Sequence, residues 1–486
     1  MDTEQSFEEL VEWATTPAQS GLRLYNWGAL VSYNSELLNK TWEQLGATPS
    51  PPESLETIQS KFTLSENSYS YHFSVLERPT LKFNVSSNSP HNATLRRRIQ
   101  KLLDFRFSTS PSRRYLLTSI NASLSGAQHL NIDTEAPKLS YSTQRNVELK
   151  WDSANYTLPG NHHDDLNSII YRMYYEDNPA KRNAILGSFA PAQDGLIKPP
   201  IYFSTYADSR TGQVVACVAL GEYGGTPSDL PLMLVNGKAA TALVDRRKSL
   251  AGIPADLGQL PQLLAPHQQF SMTAANTDAP KDHVAIYDPV GFSGTINAAM
   301  PPKFDFNPLS SLLDPLRKIE LKVFPEPASV DWGLQPGAQG SLFQEVGKWF
   351  YQAPKSSDSR ALSWVDVVSA TIEGLRYESV FVTLFEQQTG YLKFSKVDDR
   401  VRIQLCITDR NNNEIIIPSD RIEWKILHGN GQIDHQGTFT PLAHGASPFT
   451  VIQAFDTDST YTPTFACVML PVPMLSVDDT VAMFNS

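Results

Sequence analysis

Cysteine is nearly absent: 486 residues contain only Cys217, Cys406 and Cys467, none of them at CxxC or other metal-ligand spacing. That excludes a disulfide framework and a thiolate metal site, and it fits a reducing compartment. Positive charge is also in deficit, with 40 Lys and Arg against 51 Asp and Glu and a formal net charge of −11. A polyanion needs a dominant positive field, so no nucleic-acid partner is expected. Long apolar runs are missing, and the opening "MDTEQSFEELVEWATTP" is acidic and has no positive n-region. Neither a signal peptide nor a membrane span is expected, which places the chain in the cytoplasm as synthesised, with any release following a route other than a cleaved signal.

Catalytic signatures are lacking too. There is no GxSxG elbow, HExxH, Walker loop or GxGxxG, and "GEYGG" at Gly221 has neither the Lys nor the helix of a phosphate cradle. His162, His163, Asp164 and Asp165 adjoin, but no further ligand shares their element, so the carboxylates are read as caps of the next helix. "DRNNNE" at Asp409 starts like a calcium loop, yet Glu414 stands where the sharp turn requires Gly, and a β-turn is expected. The expectation is a protein that is not an enzyme and has no cofactor and no metal.

What is present is globular: 41% hydrophobic residues, with 34 prolines that oppose long uninterrupted helices. The length exceeds what one core usually serves. Ser6 and Glu9 form a capping box ahead of Phe7, Leu10, Val11 and Ala14, which predicts a short N-terminal helix. In "YNWGALVSYNSELLNKTW", residues 25–42, and on to residue 45, Val31, Leu38, Trp42 and Leu45 fit one helical stripe. Alternation at Tyr71, Phe73 and Val75, at Leu81, Phe83 and Val85, and at Val147, Leu149 and Trp151 predicts strands of a half-buried sheet. A second helix is expected in "DDLNSIIYRMYYEDNPAKRNAIL", with Leu166, Ile169, Ile170, Met173 and Tyr174 inward. Residues 250–360 show weak periodicity apart from "KIELKVF", and their topology stays open.

Beyond about 390 the texture changes to short, regularly spaced strands, which predicts an immunoglobulin-like β-sandwich over 391–486 behind a body over 1–390. In "VRIQLCI" the inward set is Val401, Ile403, Leu405 and Ile407, which puts Cys406 on the other face, unable to bridge to Cys467. One stretch reverses the overall charge. "RRRIQKLLDFRFSTSPSRR" carries Arg96, Arg97, Arg98, Lys101, Arg106, Arg113 and Arg114 against Asp104 alone. Such a run can dock an anionic membrane surface at about 1 kcal/mol per basic residue, or it can balance acids elsewhere on the fold.

The order of three stretches resembles the tubular lipid-binding (TULIP) superfamily, in the branch of the forty-seven-kilodalton and OrfX proteins of clostridial neurotoxin gene clusters. These are "YNWGALVSYNSELLNKTW", "LNSIIYRMYYEDNPAKRNAILGSF" and "GQVVACVALGEYGGTPSDLPLMLVNGKAATALVDRRKSL", together about 80 residues. Asn26-Trp27-Gly28 departs from the Gly-Trp-Asp of that branch. The resemblance implies an α+β fold, an elongated body of twisted antiparallel sheets wrapped around long helices, with an apolar groove between them. Trp27, Val31, Leu38, Trp42 and Leu45 would then wall the groove, and Arg96, Arg97, Arg98, Lys101, Arg113 and Arg114 would meet anionic lipid. The implied function is non-catalytic binding of lipid or another hydrophobic ligand, as an accessory component of a bacterial toxin system, with partner proteins engaged through the Ig-like domain. The rival readings are an interaction scaffold with a closed core and a hydrolase without a recognisable motif.

Overall fold

The computed structural model describes residues 6–15, 27–48, 50, 52–83, 93–109, 115–134, 138–142, 146–158, 164–188, 201–208, 213–218, 235, 237–245, 260–276, 282–292, 304–356, 361–442, 447–459 and 462–485. His162, His163, Gly221, Arg113 and Arg114 lie outside them. The expected α+β body with sheets wrapped around long helices is corrected: the chain is built mostly of strands. The described α-helices are Phe7–Thr15, Ser35–Ala47, Asp164–Asp177 and Val477–Asn485, the longest of 14 residues, whereas strands Ser68–Phe83 and Ala93–Thr109 run to 16 and 17. None of these helices gives a sheet a long axis to wrap. Among the described residues no helix is long and apolar enough to cross a membrane.

Two compact units emerge, one of Met1–Glu56, Val75–Ile99 and Gln128–Met300, the other of Thr57–Ser74, Gln100–Ala127 and Pro301–Ser486. The first holds a nine-stranded antiparallel sheet with Ala29–Asn34 inside it, hydrogen-bonded to Gln213–Val218 on one side and to Ala240–Asp245 on the other. Val31 sits in a row with Ala216, Ala242 and Ala285 and is fully buried. It therefore belongs to a strand and not to the helical stripe. The opposite face, with Leu30, Val215, Cys217, Leu243 and Ile286, is covered by Leu10 of the N-terminal helix together with Trp27. Ser6 and Glu9 do form the reciprocal cap of that helix.

Asn34 ends the strand and starts the next helix, its side-chain oxygen accepting from Leu37 N at 2.9 Å. On helix Asp164–Asp177 the inner face is Ile170, Tyr171 and Tyr175, while Ile169 and Met173, expected inward, are 39% and 42% exposed. Aromatic packing sets this rotation: Tyr175 stacks on Tyr156 at 5.4 Å and meets Trp151 edge-on at 5.7 Å.

In the second unit the strands Asp331–Leu334, Ser363–Ile372, Leu375–Leu384, Ser310–Leu313 and Tyr115–Ser123 continue in that order into the second unit's parts of Ala93–Thr109, Ser68–Phe83 and Glu56–Ser65. Ser310–Leu313 runs parallel to Leu375–Leu384, whereas it pairs antiparallel with Tyr115–Ser123, as do Asp331–Leu334 with Ser363–Ile372, Ser363–Ile372 with Leu375–Leu384, and Ala93–Thr109 with Tyr115–Ser123. A small sheet of Asp305–Asn307, Lys318–Phe324, Lys348–Gln352 and Ser341–Glu345 occupies the region whose topology the sequence left open. It packs on the larger sheet through Tyr351, which stacks on Phe381 at 4.3 Å.

Along Ser68–Phe83, Ser70, His72 and Ser74 share one face and are all fully buried. Burial lowers the His72 pKa to about 4, with Asp104 acting in the opposite direction. An unfolded histidine titrates near 6.5, so between those values the unfolded chain binds the extra proton, and stability is complete above pH 6.5 and falls as pH drops towards 4. The loss attributable to this residue is about 3 kcal/mol. Comparing urea unfolding of the native chain with His72→Gln across pH 7 to 4 should show a flatter profile in the variant. Parallel profiles would remove His72 as the titrating group.

The C-terminal residues form two facing sheets. Tyr391–Val397, Arg400–Thr408, Thr438–Pro441 and Gly431–Ile433, with Glu414–Ile416 at the side, make one; Ile422–His428, Thr450–Asp456 and Phe465–Leu470 make the other. Val401, Ile403 and Phe439 from the first meet Ile452, Val468 and Leu470 from the second in one core, a β-sandwich. Helix Val477–Asn485 lays Phe484 on Phe394 at 4.1 Å. Asp409 accepts from Asn411 N and Asn413 N, so "DRNNNE" is a hairpin turn.

Cys217, Cys406 and Cys467 are all free and buried, and burial pushes the Cys467 thiol up to about 12. Thiolate is the reactive form, so the folded protein should react with a thiol reagent far more slowly than the urea-unfolded, unreduced protein, which should titrate three groups. A count of one, with Cys406 and Cys467 bonded to each other, would overturn the strand parity.

Candidate functional site

A cleft of about 400 Å³ opens within the first unit, between helix Ser35–Ala47, strand residues Thr80–Lys82 and the residues Arg96, Arg98 and His129. The helix is fastened at several points. Asn39 donates from Nδ2 to Phe83 O at 2.9 Å and accepts from Phe83 N at 2.8 Å, closing a two-bond clamp onto the end of the strand. Arg78 donates from Nη2 to Leu45 O at 2.8 Å, satisfying a carbonyl of the last helical turn. Trp42 is 2% exposed, donates from Nε1 to Leu264 O at 3.0 Å and stands edge-on to His267 at 6.4 Å. Its ring is a fixed wall and its polar atom is already satisfied.

The cationic side comes from strand alternation. On Ala93–Thr109 the side chains of Arg96 and Arg98 point one way and that of Arg97 the other. Thr80 Oγ1 donates to Arg96 O at 3.3 Å, and His129 lies directly opposite Arg98 in the ladder with strand His129–Thr134. Lys82, Arg96 and Arg98 thus line the cleft with Glu43 as the one acid among its lining residues. Among the described residues no carboxylate pairs with Lys82 or Arg96. Arg98 also acts on Glu77, whose carboxyl pKa is raised by burial and pulled back down by Arg98, Ser50 and Arg78. The arrangement can hold an anionic group, with guanidinium forks on one side and an apolar wall of Trp42, Leu81 and Ala47 on the other.

Of the groove candidates, Trp42 lines this cleft. Leu38 and Leu45 are buried on the inner face of the same helix, Trp27 lies under the N-terminal helix and Val31 lies inside the sheet. Of the basic candidates, Arg96 and Arg98 reach the cleft. Arg97 turns inward to the Glu56 carboxylate, and Lys101, in the second unit, donates to Met474 O at 2.9 Å. Sequence reasoning missed Lys82, Asn39, Glu43 and His129. Lys82 could have been joined to the candidate Arg96 from alternation around the "NVSSNSPHN" connection, but His129 reaches the site only through a pairing that no local pattern shows.

No family model and no curated protein matches this sequence. Among solved structures, extracellular cadherin repeats 1 and 2 of human protocadherin-24 align at 13% identity over 34% of this chain and 92% of that one, with a TM-score of 0.14. The D00-D0 domain of intimin aligns at 13% identity over 34% and 98%, with a TM-score of 0.16. Similarity at that level carries no argument about fold or activity.

Proposed function

We propose that this chain is a non-catalytic binding protein for an anionic amphiphile, whose charged group is held by Arg96, Arg98 and Lys82 and whose apolar part lies against Trp42 and Leu81. The observation that carries this reading is the meeting of three cations with a fixed aromatic wall in one cleft of a chain whose net charge is −11. A volume of about 400 Å³ is in the range of small-molecule sites, which run from about 300 to 1,000 Å³. The ligand class agrees with what the resemblance of the opening stretch implies. The sheet-around-helix architecture of that resemblance forms no part of the proposal.

Isothermal titration with octyl phosphate, octyl glucoside and inorganic phosphate tests it. Octyl phosphate should bind at least tenfold more tightly than either probe that lacks its head or its tail. The double change Arg96→Gln and Arg98→Gln should remove most of that affinity without lowering the melting temperature, and added salt should weaken the native complex, since exposed charges are screened over roughly 8 Å at physiological ionic strength. Equal binding of octyl glucoside, or full binding by the double variant, would overturn the proposal.

A further inference from the structure

A second cleft, of about 420 Å³, lies inside the second unit, with strand Leu375–Leu384 on one side and His428, Gly429, Asn430 and the segment 447–449 on the other. Its chemistry differs from the cationic cleft. Arg376 Nε lies 2.9 Å from Glu378 Oε1, so the two permanent charges cancel. The terminal nitrogens of Arg376 have no partner among the described residues. His428 is half-buried with its ring 5.8 Å from that of Phe449, and neither of its nitrogens has a hydrogen-bond partner among the described residues. Burial lowers its pKa against the pull of Glu378. The imidazole is therefore neutral at neutral pH, with one nitrogen to donate and one to accept.

Glycine makes this wall possible. Gly429 has φ +98°, and a Cβ there would fall 2.4 Å from Phe449 O, so only glycine lets the turn lie against that segment and hold His428 beside Phe449. Leu309, Val380, Pro448 and Phe449 supply the apolar part of the lining.

A charged ligand would meet one repelling member of the Arg376–Glu378 pair and gain little from a lining whose permanent charges sum to zero. A neutral ligand with many hydroxyls meets donors and acceptors together, and its C–H face meets Phe449 and Val380. We propose that this cleft binds a neutral polyhydroxylated ligand of about one or two sugar rings, with Glu378 accepting from hydroxyls, Arg376 donating to them and His428 doing either. This proposal is independent of the amphiphile site.

Saturation-transfer NMR on the full chain with methyl glucoside, methyl mannoside, methyl galactoside, N-acetylglucosamine and maltose, each at 10 mM, tests it, with acetate and phosphate as charged probes. At least one sugar should receive saturation, and neither anion should displace it. Glu378→Gln leaves Arg376 unpaired and makes the cleft cationic, so sugar affinity should fall about tenfold while phosphate binding appears. His428→Phe keeps the ring packing against Phe449 and removes both ring nitrogens, and it should cost a similar factor. The Arg96→Gln and Arg98→Gln double variant should bind sugar as the native chain does, which separates this site from the other. No transfer to any of the five sugars, native affinity in both cleft variants, or preference for phosphate by the native chain would each overturn the proposal.

Discussion

Replacing Arg97 with Gln should destabilise the first unit by about 3 to 5 kcal/mol, while the same change at Arg96 or Arg98 should stay within about 0.5 kcal/mol. Three consecutive arginines on a strand cannot share an environment, because successive side chains point to opposite faces. Arg97 is 6% exposed, donates from Nε to Glu77 O at 2.9 Å and pairs through Nη1 with the Glu56 carboxylate. Glu56 also accepts from the hydroxyls of Tyr174 and Tyr175, each at 3.4 Å. Removing the guanidinium leaves a carboxylate whose side chain is only 16% exposed with two phenols as its remaining donors among the described residues, and an uncompensated, largely buried charge costs far more than a lost surface pair. Hydrogen exchange of the amides in Ala93–Ile99 under increasing urea would locate the loss in this unit. The double change Arg97→Met with Glu56→Leu removes both charges and should recover much of it. If Arg97→Gln proves as mild as Arg96→Gln, the inward placement of this side chain is wrong.

An effect of similar size is expected at Asp366, in the second unit. Its carboxylate is fully buried and accepts four hydrogen bonds: from Gln339 N at 3.0 Å, Gly340 N at 2.7 Å, Tyr351 Oη at 2.7 Å and Trp364 Nε1 at 2.9 Å. The carboxylate ties the small sheet and the loop before it to strand Ser363–Ile372. Asp366→Ala leaves four donors to find new partners, at about 1 to 3 kcal/mol for each that stays buried and unpaired, so at least about 4 kcal/mol should be lost. Tyr351→Phe removes only one donor and should cost about 1 kcal/mol. Near-UV circular dichroism during urea unfolding reads both, since Tyr351 and Trp364 change environment together. A loss below 1 kcal/mol in Asp366→Ala would mean that water enters and satisfies the loop.

Much of this was legible in the sequence where one face of an element is wet. The short strands beyond 395, the capping box at Ser6 and the turn at Asp409 all announce themselves through local alternation or side-chain chemistry. The triple arginine did so only in part: alternation separates Arg97 from Arg96 and Arg98, but which side is interior depends on the distant Glu56. The opening stretch misled for a physical reason. Val31, Leu38, Trp42 and Leu45 are spaced by 7, 4 and 3, which fits a helix, yet Ala29–Asn34 is a strand with neighbours on both sides and almost no exposed residue to mark its period. Asn34 was the available signal, as a helix cap placed after Val31. The partners of that strand, Gln213–Val218 and Ala240–Asp245, are some two hundred residues away, and nothing local names them.

The division into units has a consequence for how the chain reaches its native state. The sequence passes from one unit to the other after Glu56, Ser74, Ile99, Ala127 and Met300, and three of those passages lie within single strands, Glu56–Ser65, Ser68–Phe83 and Ala93–Thr109. Neither unit is a continuous stretch: the first is fully synthesised at Met300, while the second, begun at Thr57, waits for Pro301–Ser486. The second needs Ser310–Leu313 to pair with Tyr115–Ser123, closing a loop of almost two hundred residues, and loop closure of that kind slows folding far more than it lowers stability. A nascent chain released before residue 301 would leave the edge of Tyr115–Ser123 without that partner, an open template for another chain. Such a protein should therefore depend on protection during synthesis more than its finished stability suggests, and fragments cut at 300 or 390 should aggregate where the whole chain does not.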